Sequence, residues 1–202
     1  MKQAAVGFRV HSGWSALVVV SLKKGAPTVL SRQHVHLVET FSYKFRQPYH
    51  TAEKMPLEKA HEFISGALSE AQRLGDRALR SLLGDLGRQG YQIKRCGLLL
   101  ASGRALPGLE KIVQSHALIH TADGELFREA LRHSCTRCDL EILCTKEKEL
   151  LDQGALTLGV PRDELPQRLT ELGRAQGSPW TQDEKFAALA AWLALVFSHQ
   201  NS

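Results

Sequence analysis

AAVGFRVHSGWSALVVVSLKKGAPTVLSRQHVHLV, residues 4–38, opens the chain with three runs rich in valine and leucine. The runs are AAVGFRV, WSALVVVSL and TVLSRQHVHLV, and each has the length and composition of a β-strand. The segments between them, HSG and KKGAP, are short and contain glycine or proline, as hairpin turns do. The stretch therefore predicts three antiparallel strands joined by two tight turns.

A long helical pattern follows this meander after an irregular connection. Residues 40–56 lack periodicity and contain two prolines, so they are predicted to be a connection. From Leu57, apolar residues recur at three- and four-residue steps, which predicts a long helix that ends at Gly87 or Gly90. The run IKRCGLLLAS after it is nearly continuous and apolar, as in a strand buried on both faces.

The second half of the chain alternates helical and strand patterns. It predicts a helix across Gly108–His133, a strand at DLEILCT and a short helix at KEKELLDQG. A further helical segment is broken or started at Pro166. The last helix begins at Pro179 or Thr181 and has acidic residues in its first turn. The order β-β-β-α-β-α-β-α-α indicates an α/β protein.

Composition places few limits on function. The chain has 202 residues, of which 43% are hydrophobic and 23% charged, as in an ordinary globular protein, and we expect a single domain over 1–202. The opening MKQAAVGFRV lacks a signal-peptide pattern and no apolar run approaches a membrane span, so we expect a cytoplasmic protein with no membrane partner. The net charge of +5 is dispersed and favours a polyanionic partner only mildly.

Four stretches of the chain resemble one protein family. VGFRVHSGWSALVV is similar to that family's first strand and turn, a G-I-D-P-G…T-G-W/Y-x-V pattern, and CGLLLASG to its central strand. CTKEKELL followed by LGVPRDELPQRL is similar to its next strand and helices, and WTQDEKFAALAAWLAL to its closing helix. The family is that of the RuvC-type Holliday-junction resolvases. The resemblance implies a ribonuclease-H-like α/β fold: a mixed five-stranded sheet, with strands 1-2-3 antiparallel and then parallel strands, and helices on both faces.

The chain departs from this family at the metal-binding positions. Such nucleases hold two divalent ions with four carboxylates, because in-line phosphodiester cleavage needs both the attacking and the leaving oxygen clamped. Here Arg9 takes the first-strand aspartate position, and the central-strand acid falls near Ala101 or Ser102. In the last helix Asp183 matches the first acid, but the second falls on Phe186. An arginine at the site would repel cations. We therefore expect a nucleic-acid-associated protein that binds DNA, RNA or a protein partner rather than cleaving by the two-metal route.

The resemblance also implies where a functional cleft lies. In this fold the first turn, the end of the central strand and the closing helix converge, and fold analogy alone brings their polar residues together. Asp183, His11 and Ser102 are the candidate catalytic residues there. Arg9 and Arg104 are candidates for binding nucleic acid or another anion. If the cleft is catalytic, Mg²⁺ or Mn²⁺ is the implied cofactor.

The first turn allows a second use of the same cleft. Proteins of this fold such as sugar kinases hold phosphate with their first hairpin, and here Arg9, the Ser12 hydroxyl and backbone N–H groups could surround an anion. An ordinary tight turn is the simpler interpretation. The alternative function is therefore a hydrolase or phosphotransferase, built on the following residues: Arg9, His11, Ser12, His116, His120 and Asp183.

SHALIHTADGELFREAL, residues 115–131, brings two histidines and an aspartate onto one helical stripe. His116, His120, Asp123 and Phe127 align at about 100° per residue. The His-x3-His spacing lets two imidazoles bind one metal ion, with Asp123 one turn further, so these three are a candidate metal site. The glutamate that usually separates such histidines is missing, which favours packing or contact with a partner instead.

The connection FSYKFRQPYH, residues 41–50, interleaves aromatic rings with Lys44 and Arg46. This pattern suits single-stranded nucleic acid and makes both cations candidate contacts. The alternation also fits a strand with one buried aromatic face, which is the favoured interpretation. Tyr49 and His50 lie in the same aperiodic segment, where functional residues are common.

Cys135-x-x-Cys138 has the spacing of half a zinc site or a redox pair. A structural zinc would also need Cys144 and a histidine from elsewhere in the chain. In the expected reducing compartment, partly buried free thiols are the favoured interpretation.

Overall fold

The fold is known from a computed structural model, which describes residues 1–101 and 105–197. The strands are β1 (Lys2–His11), β2 (Trp14–Lys23), β3 (Ala26–His36), β4 (Tyr91–Leu100) and β5 (Glu141–Lys146). The helices are α1 (Tyr43–Arg46), α2 (Pro48–Ala52), α3 (Leu57–Arg88), α4 (Leu109–Val113), α5 (His116–Arg137), α6 (Leu150–Leu158), α7 (Leu165–Leu172) and α8 (Gln182–Val196). Two short 3₁₀ turns cover Glu147–Glu149 and Arg174–Gln176.

The strands form one mixed sheet in the order β3-β2-β1-β4-β5, with β1 at its centre. β1 pairs antiparallel with β2, and β2 antiparallel with β3, whereas β4 is parallel to β1 and β5 is parallel to β4. The turn between the first two strands needs Gly13, whose φ is +85° and whose Cβ would lie 2.8 Å from Arg46 Cγ. The predicted meander and mixed five-stranded sheet are therefore confirmed.

Alternation along β1 divides the interior into two layers, because successive side chains of a strand point to opposite faces. Val6, Phe8 and Val10 belong to a core that also holds side chains of α3 and α5. Ala5 faces the other way, into a core shared with α8. The prediction of helices on both faces is confirmed, and positions 9 and 11 fall on the side of α8.

α8 packs unusually close to the sheet because two glycines face it. A Cβ at Gly7 would lie 1.9 Å from the carbonyl oxygen of Ala187, and one at Gly97 would lie 2.2 Å from that of Ala190. The helix is rich in alanine and buried along most of its length. The backbone of α8 therefore lies directly against the backbones of β1 and β4, and these contacts hold the middle of the helix firmly on the sheet.

Helix ends agree with the sequence in two places. α3 ends at Arg88, between the two glycines expected to stop it. α8 begins after Thr181, which forms a capping box with Glu184. No helix in the described residues is long and apolar enough to cross a lipid bilayer.

Two predictions about the connections are wrong. Residues 41–50 are not a strand with a buried aromatic face: they form most of α1 and α2, and Phe41 and Tyr43 are exposed. Pro48 starts α2, because proline at the first helical position loses no hydrogen bond. The helix expected across Gly108–His133 is divided into α4 and α5, since the chain leaves the helical path at Gln114 and Ser115.

Candidate functional site

The polar residues of the expected cleft meet at one end of the sheet. The parallel strands β1, β4 and β5 all end at this edge, which is where ligands bind in many α/β sheets. β1 carries Arg9 and His11 to it on the face covered by α8. Glu147 follows β5 directly, and Asp183 lies in the first turn of α8.

Arg9 is held by two carboxylates. Its Nε and Nη2 donate to the two oxygens of Glu147 at 3.1 and 2.5 Å, and its Nη1 donates to Asp183 Oδ1 at 2.6 Å. Only 15% of the side chain is exposed, and the ring of Phe186 lies 5.2 Å from Cζ. Burial opposes the charge, but Glu147 and Asp183 outweigh it and raise the pKa of Arg9. The guanidinium is therefore a fixed cation at the centre of the site.

His11 shares the second of these carboxylates. Its Nε2 lies 2.7 Å from Asp183 Oδ1, and its ring stacks on Trp14 with centroids 4.5 Å apart. Trp14 also contacts His34, with ring centroids 4.7 Å apart, and His34 Nε2 is 2.8 Å from Glu184 Oε1. The first turn of α8 thus anchors both histidines, one on β1 and one on β3.

These residues do not fit a two-metal centre. Two magnesium ions need several carboxylate oxygens free to coordinate them. Here the carboxylates of Glu147 and Asp183 are both bound to the Arg9 guanidinium, whose charge would repel a cation at the same place. Ala101, at the end of β4, offers no ligand atom from its side chain.

An open cleft lies beside Arg9. It has a volume of about 560 Å³ and is lined by Ala101, Arg128, Glu147, Lys148 and Phe186. Glu147 and Lys148 were not predicted as site residues, although both lie in the KEKE segment that carries part of the family resemblance. Of the expected cleft residues, the structure brings together Arg9, His11 and Asp183, whereas Ser102 and Arg104 lie outside the described residues.

Arg46 contacts the turn between β1 and β2. Arg46 Nε donates to the backbone oxygen of Ser12 at 3.2 Å, and its guanidinium lies 4.3 Å from the ring centre of Phe41. Lys44 is exposed, with its amine 5.3 Å from the ring of Phe45. Because Arg9 is already bound by two carboxylates, a phosphate at Ser12 would have to recruit Arg46 instead. Anion binding at this turn, and the hydrolase or phosphotransferase it would serve, stays a prediction.

The histidine stripe of α5 is divided between solvent and core. His116 and His120 are exposed, whereas Asp123 is buried and accepts hydrogen bonds from the backbone N–H of Tyr49 and from His50 Nδ1. Asp123 therefore stands behind His50 rather than beside the two α5 histidines. His50 was predicted to lie in a functional segment but not to contact this stripe, since no periodicity links α2 with α5.

The cysteines are free thiols. Cys135 is buried against Cys96, and a hydrogen bond between the two, together with burial, raises the pKa of the Cys96 thiol. Burial likewise raises the pKa of Cys138. A raised pKa disfavours the thiolate form of Cys96 and Cys138 that metal binding and nucleophilic attack need. The interpretation of the cysteines as reduced, partly buried residues stays a prediction.

The N-terminal cap of α8 predicts how the stability of the protein changes at acidic pH. Burial favours the neutral form of Glu184, but hydrogen bonds from Thr181 and His34 outweigh it and lower its pKa to about 2, from an ordinary 4.5. A lowered pKa adds stability above the ordinary value, and this is lost as pH falls toward the folded value. Urea unfolding at a series of pH values should show wild type more stable than Glu184→Gln at pH 7, with the gap closing between about pH 4.5 and 2. If the difference in stability between wild type and Glu184→Gln stayed constant from about pH 4.5 to 2, the lowered pKa of Glu184 would be contradicted.

Comparison with known proteins gives matches of structure only. No family model matches the sequence, and no curated protein matches it either. Thermus thermophilus RuvC in complex with a Holliday junction substrate is similar to this chain with a TM-score of 0.56 and 8% identity, over 99% of this chain and 97% of that one. A second Thermus thermophilus RuvC structure gives a TM-score of 0.53 and 11% identity, over 98% and 96% of the two chains. The chain therefore has the ribonuclease-H-like fold in its RuvC-type form.

Proposed function

We propose that this chain binds duplex or branched DNA at the carboxyl end of its sheet and does not cleave it by the two-metal route. The observation that carries the proposal is Arg9, whose guanidinium joins Glu147 to Asp183. An internal ion pair occupies the place where, by the family resemblance, the first metal-binding aspartate would lie. The fold is thus retained while the charge at its centre is reversed.

Cationic side chains around the cleft support phosphate contacts. Lys44 and Lys148 are exposed, and neither forms an ion pair with a described residue. Surface lysine amines that no carboxylate neutralises suit DNA phosphates, and each contact releases counterions on binding. Lys148 lines the open cleft beside Glu147, whereas Lys44 belongs to the α1 segment at the same edge of the sheet.

Exposed aromatic rings next to Lys44 add a second kind of contact. Phe41 and Tyr43 are 48% and 63% exposed, which is uncommon for rings in a well-packed protein. Such rings can stack on unpaired bases. The RuvC structure that this chain resembles holds a Holliday junction, which makes a four-way junction the first substrate to try.

The experiment compares DNA affinity of lysine variants across salt concentrations. Fluorescence anisotropy with a labelled four-way junction and a matched duplex should show affinity falling steeply with salt. Lys44→Gln and Lys148→Gln should each reduce the slope of log K against log salt by about 1. Lys23→Gln is the matched control: Lys23 is also exposed, but it lies at the opposite end of the sheet, and its slope should be unchanged.

Incubation of the same DNA with Mg²⁺ or Mn²⁺ tests the other half of the proposal. Intact DNA is expected, since the carboxylates are bound to Arg9. Absence of binding at low salt would overturn the DNA-binding half. Metal-dependent strand cleavage that survives purification of the protein to homogeneity would overturn the non-cleaving half.

A further inference from the structure

Three histidines from two helices converge at the surface near the start of α5. His116 and His120 belong to α5, and His50 belongs to α2. The Nε2 atoms of His116 and His120 are 3.0 Å apart, and one ligand nitrogen from each of the three rings lies within 4.8 Å of the others. In the described part of the chain this is the one group of three or more such side chains close enough to hold an ion.

The spacing of the two α5 histidines is close to what a metal ion requires. Zinc binds imidazole nitrogen at about 2.0–2.1 Å in tetrahedral geometry, so two ligand nitrogens around it are about 3.3 Å apart. The pair on α5 already meets this separation, because residues four apart lie above one another on a helix. The ring of His50 reaches both partners, with centroids 5.5 Å from His116 and 4.4 Å from His120.

Asp123 fixes the orientation of the third ring. Its Oδ2 accepts from His50 Nδ1 at 2.5 Å, and its Oδ1 accepts from the backbone N–H of Tyr49 at 2.7 Å. Both side chains of the His50–Asp123 pair are buried, at 8% and 3% exposure. A proton held on Nδ1 leaves the lone pair of His50 on Nε2, the atom free to bind a metal. Metal-binding histidines commonly have such a carboxylate behind them.

We propose that His50, His116 and His120 bind one divalent transition-metal ion of the zinc class, with Asp123 as the residue that positions His50. Imidazole nitrogen selects zinc and its neighbours over magnesium, manganese or calcium, which prefer oxygen. Three protein ligands leave a fourth position, and the exposure of His116 and His120 opens it to water or to an oxygen of a bound molecule. The site is separate from the Arg9 centre and does not depend on DNA binding.

Its place in the fold sets it at the same end of the sheet as the candidate cleft. α2 follows the carboxyl end of β3, which runs parallel to β1, and α5 begins after the carboxyl end of β4. Both helices therefore present their histidines at the edge of the sheet where Arg9 and Asp183 lie. The histidine set uses residues from the α3 and α5 side of the sheet, whereas the Arg9 centre faces α8.

Calorimetric titration of the metal-free full chain with Zn²⁺ tests the site. One ion per chain is expected, and Co²⁺ in its place should give the intense visible absorption of a tetrahedral complex. His116→Gln and His120→Gln should each abolish the one-to-one binding, and Asp123→Asn should weaken it by about 10–100-fold. Because Asp123 is buried, the fold of that variant is checked by circular dichroism, and the exposed His116 and His120 variants decide the matter if it fails to fold.

Two controls separate this site from other ligands. His61 is an exposed histidine on α3, so His61→Gln should bind zinc like wild type. The double variant Cys138→Ser/Cys144→Ser should also keep one-to-one binding, since the proposal uses no thiol. Stoichiometric binding that persists in the His116→Gln/His120→Gln variant, or that disappears with the cysteines, would overturn the proposal, as would the absence of zinc binding in wild type.

Discussion

Gly7→Ala should destabilise the protein by about 3 kcal/mol, because the added methyl group has no space. Its carbon would lie 1.9 Å from the carbonyl oxygen of Ala187 and 2.6 Å from the backbone nitrogen of Ala191. These are backbone atoms in the middle of a helix and cannot turn aside as a flexible side chain would. α8 would have to move away from β1, and the buried layer between them would lose its close packing. Urea unfolding followed by circular dichroism measures the loss.

Gly66→Ala is the matched control for this change. Gly66 is exposed on α3, and apart from its chain neighbours and the adjacent backbone of its own helix no atom lies within 4 Å of the Cβ it would gain. Alanine there should leave stability unchanged or raise it by about 0.5–1 kcal/mol, because glycine is a poor helix former. If Gly7→Ala and Gly66→Ala had similar urea unfolding midpoints, α8 would not pack on β1 as closely as described.

Arg9→Asp should convert the centre of the cleft from a site that repels cations into one that binds them. Without metal, three carboxylates would face one another, and the loss of the Arg9 ion pairs should cost about 3 kcal/mol, near the lower end for partly buried pairs. With Mn²⁺ at about 100 times its dissociation constant, binding should return about 2.7 kcal/mol. Wild type should show no such gain, because its two carboxylates already hold a guanidinium.

Unfolding free energy with and without Mn²⁺ is the quantity to compare. Arg95→Asp is the control, since Arg95 on β4 also pairs with a glutamate, Glu141, away from this cleft. It makes the same change of charge and should receive no comparable stabilisation from Mn²⁺. If Mn²⁺ stabilises wild type as much as Arg9→Asp, then Arg9 does not keep metal from the site, and the argument against two-metal cleavage fails.

Local pattern was enough to predict the sheet. The strands are continuous apolar runs separated by turn residues, and each property is set by residues a few positions apart. The same reasoning placed Thr181 at the start of α8, because a cap acts only within its own turn. Local pattern gave the wrong structure for residues 41–50, where aromatic alternation suggested a strand. Pro48 favours the start of a helix there. Packing against α3 and α5 supports this helix.

The site was only partly predictable because its pairs are distant in sequence. Arg9 and Glu147 are 138 residues apart, and His50 and Asp123 are 73 apart. No spacing rule along one element reaches so far, so family resemblance found Arg9, His11 and Asp183 but not Glu147. The same limit explains why the α5 stripe was given Asp123 as a third ligand: His50 comes into view only when α2 is packed on α5.

One face of β1 supplies residues to the cleft, and the opposite face packs into the hydrophobic core. Odd residues face α8 and supply Arg9 and His11, whereas even residues such as Phe8 fill the opposite core. Insertion of one residue early in the strand would exchange the two sets, sending a guanidinium into the hydrocarbon layer and an aromatic ring into the cleft. The hydrophobic core and the cleft therefore depend on the same register of β1. A change that shifts this register alters both of them.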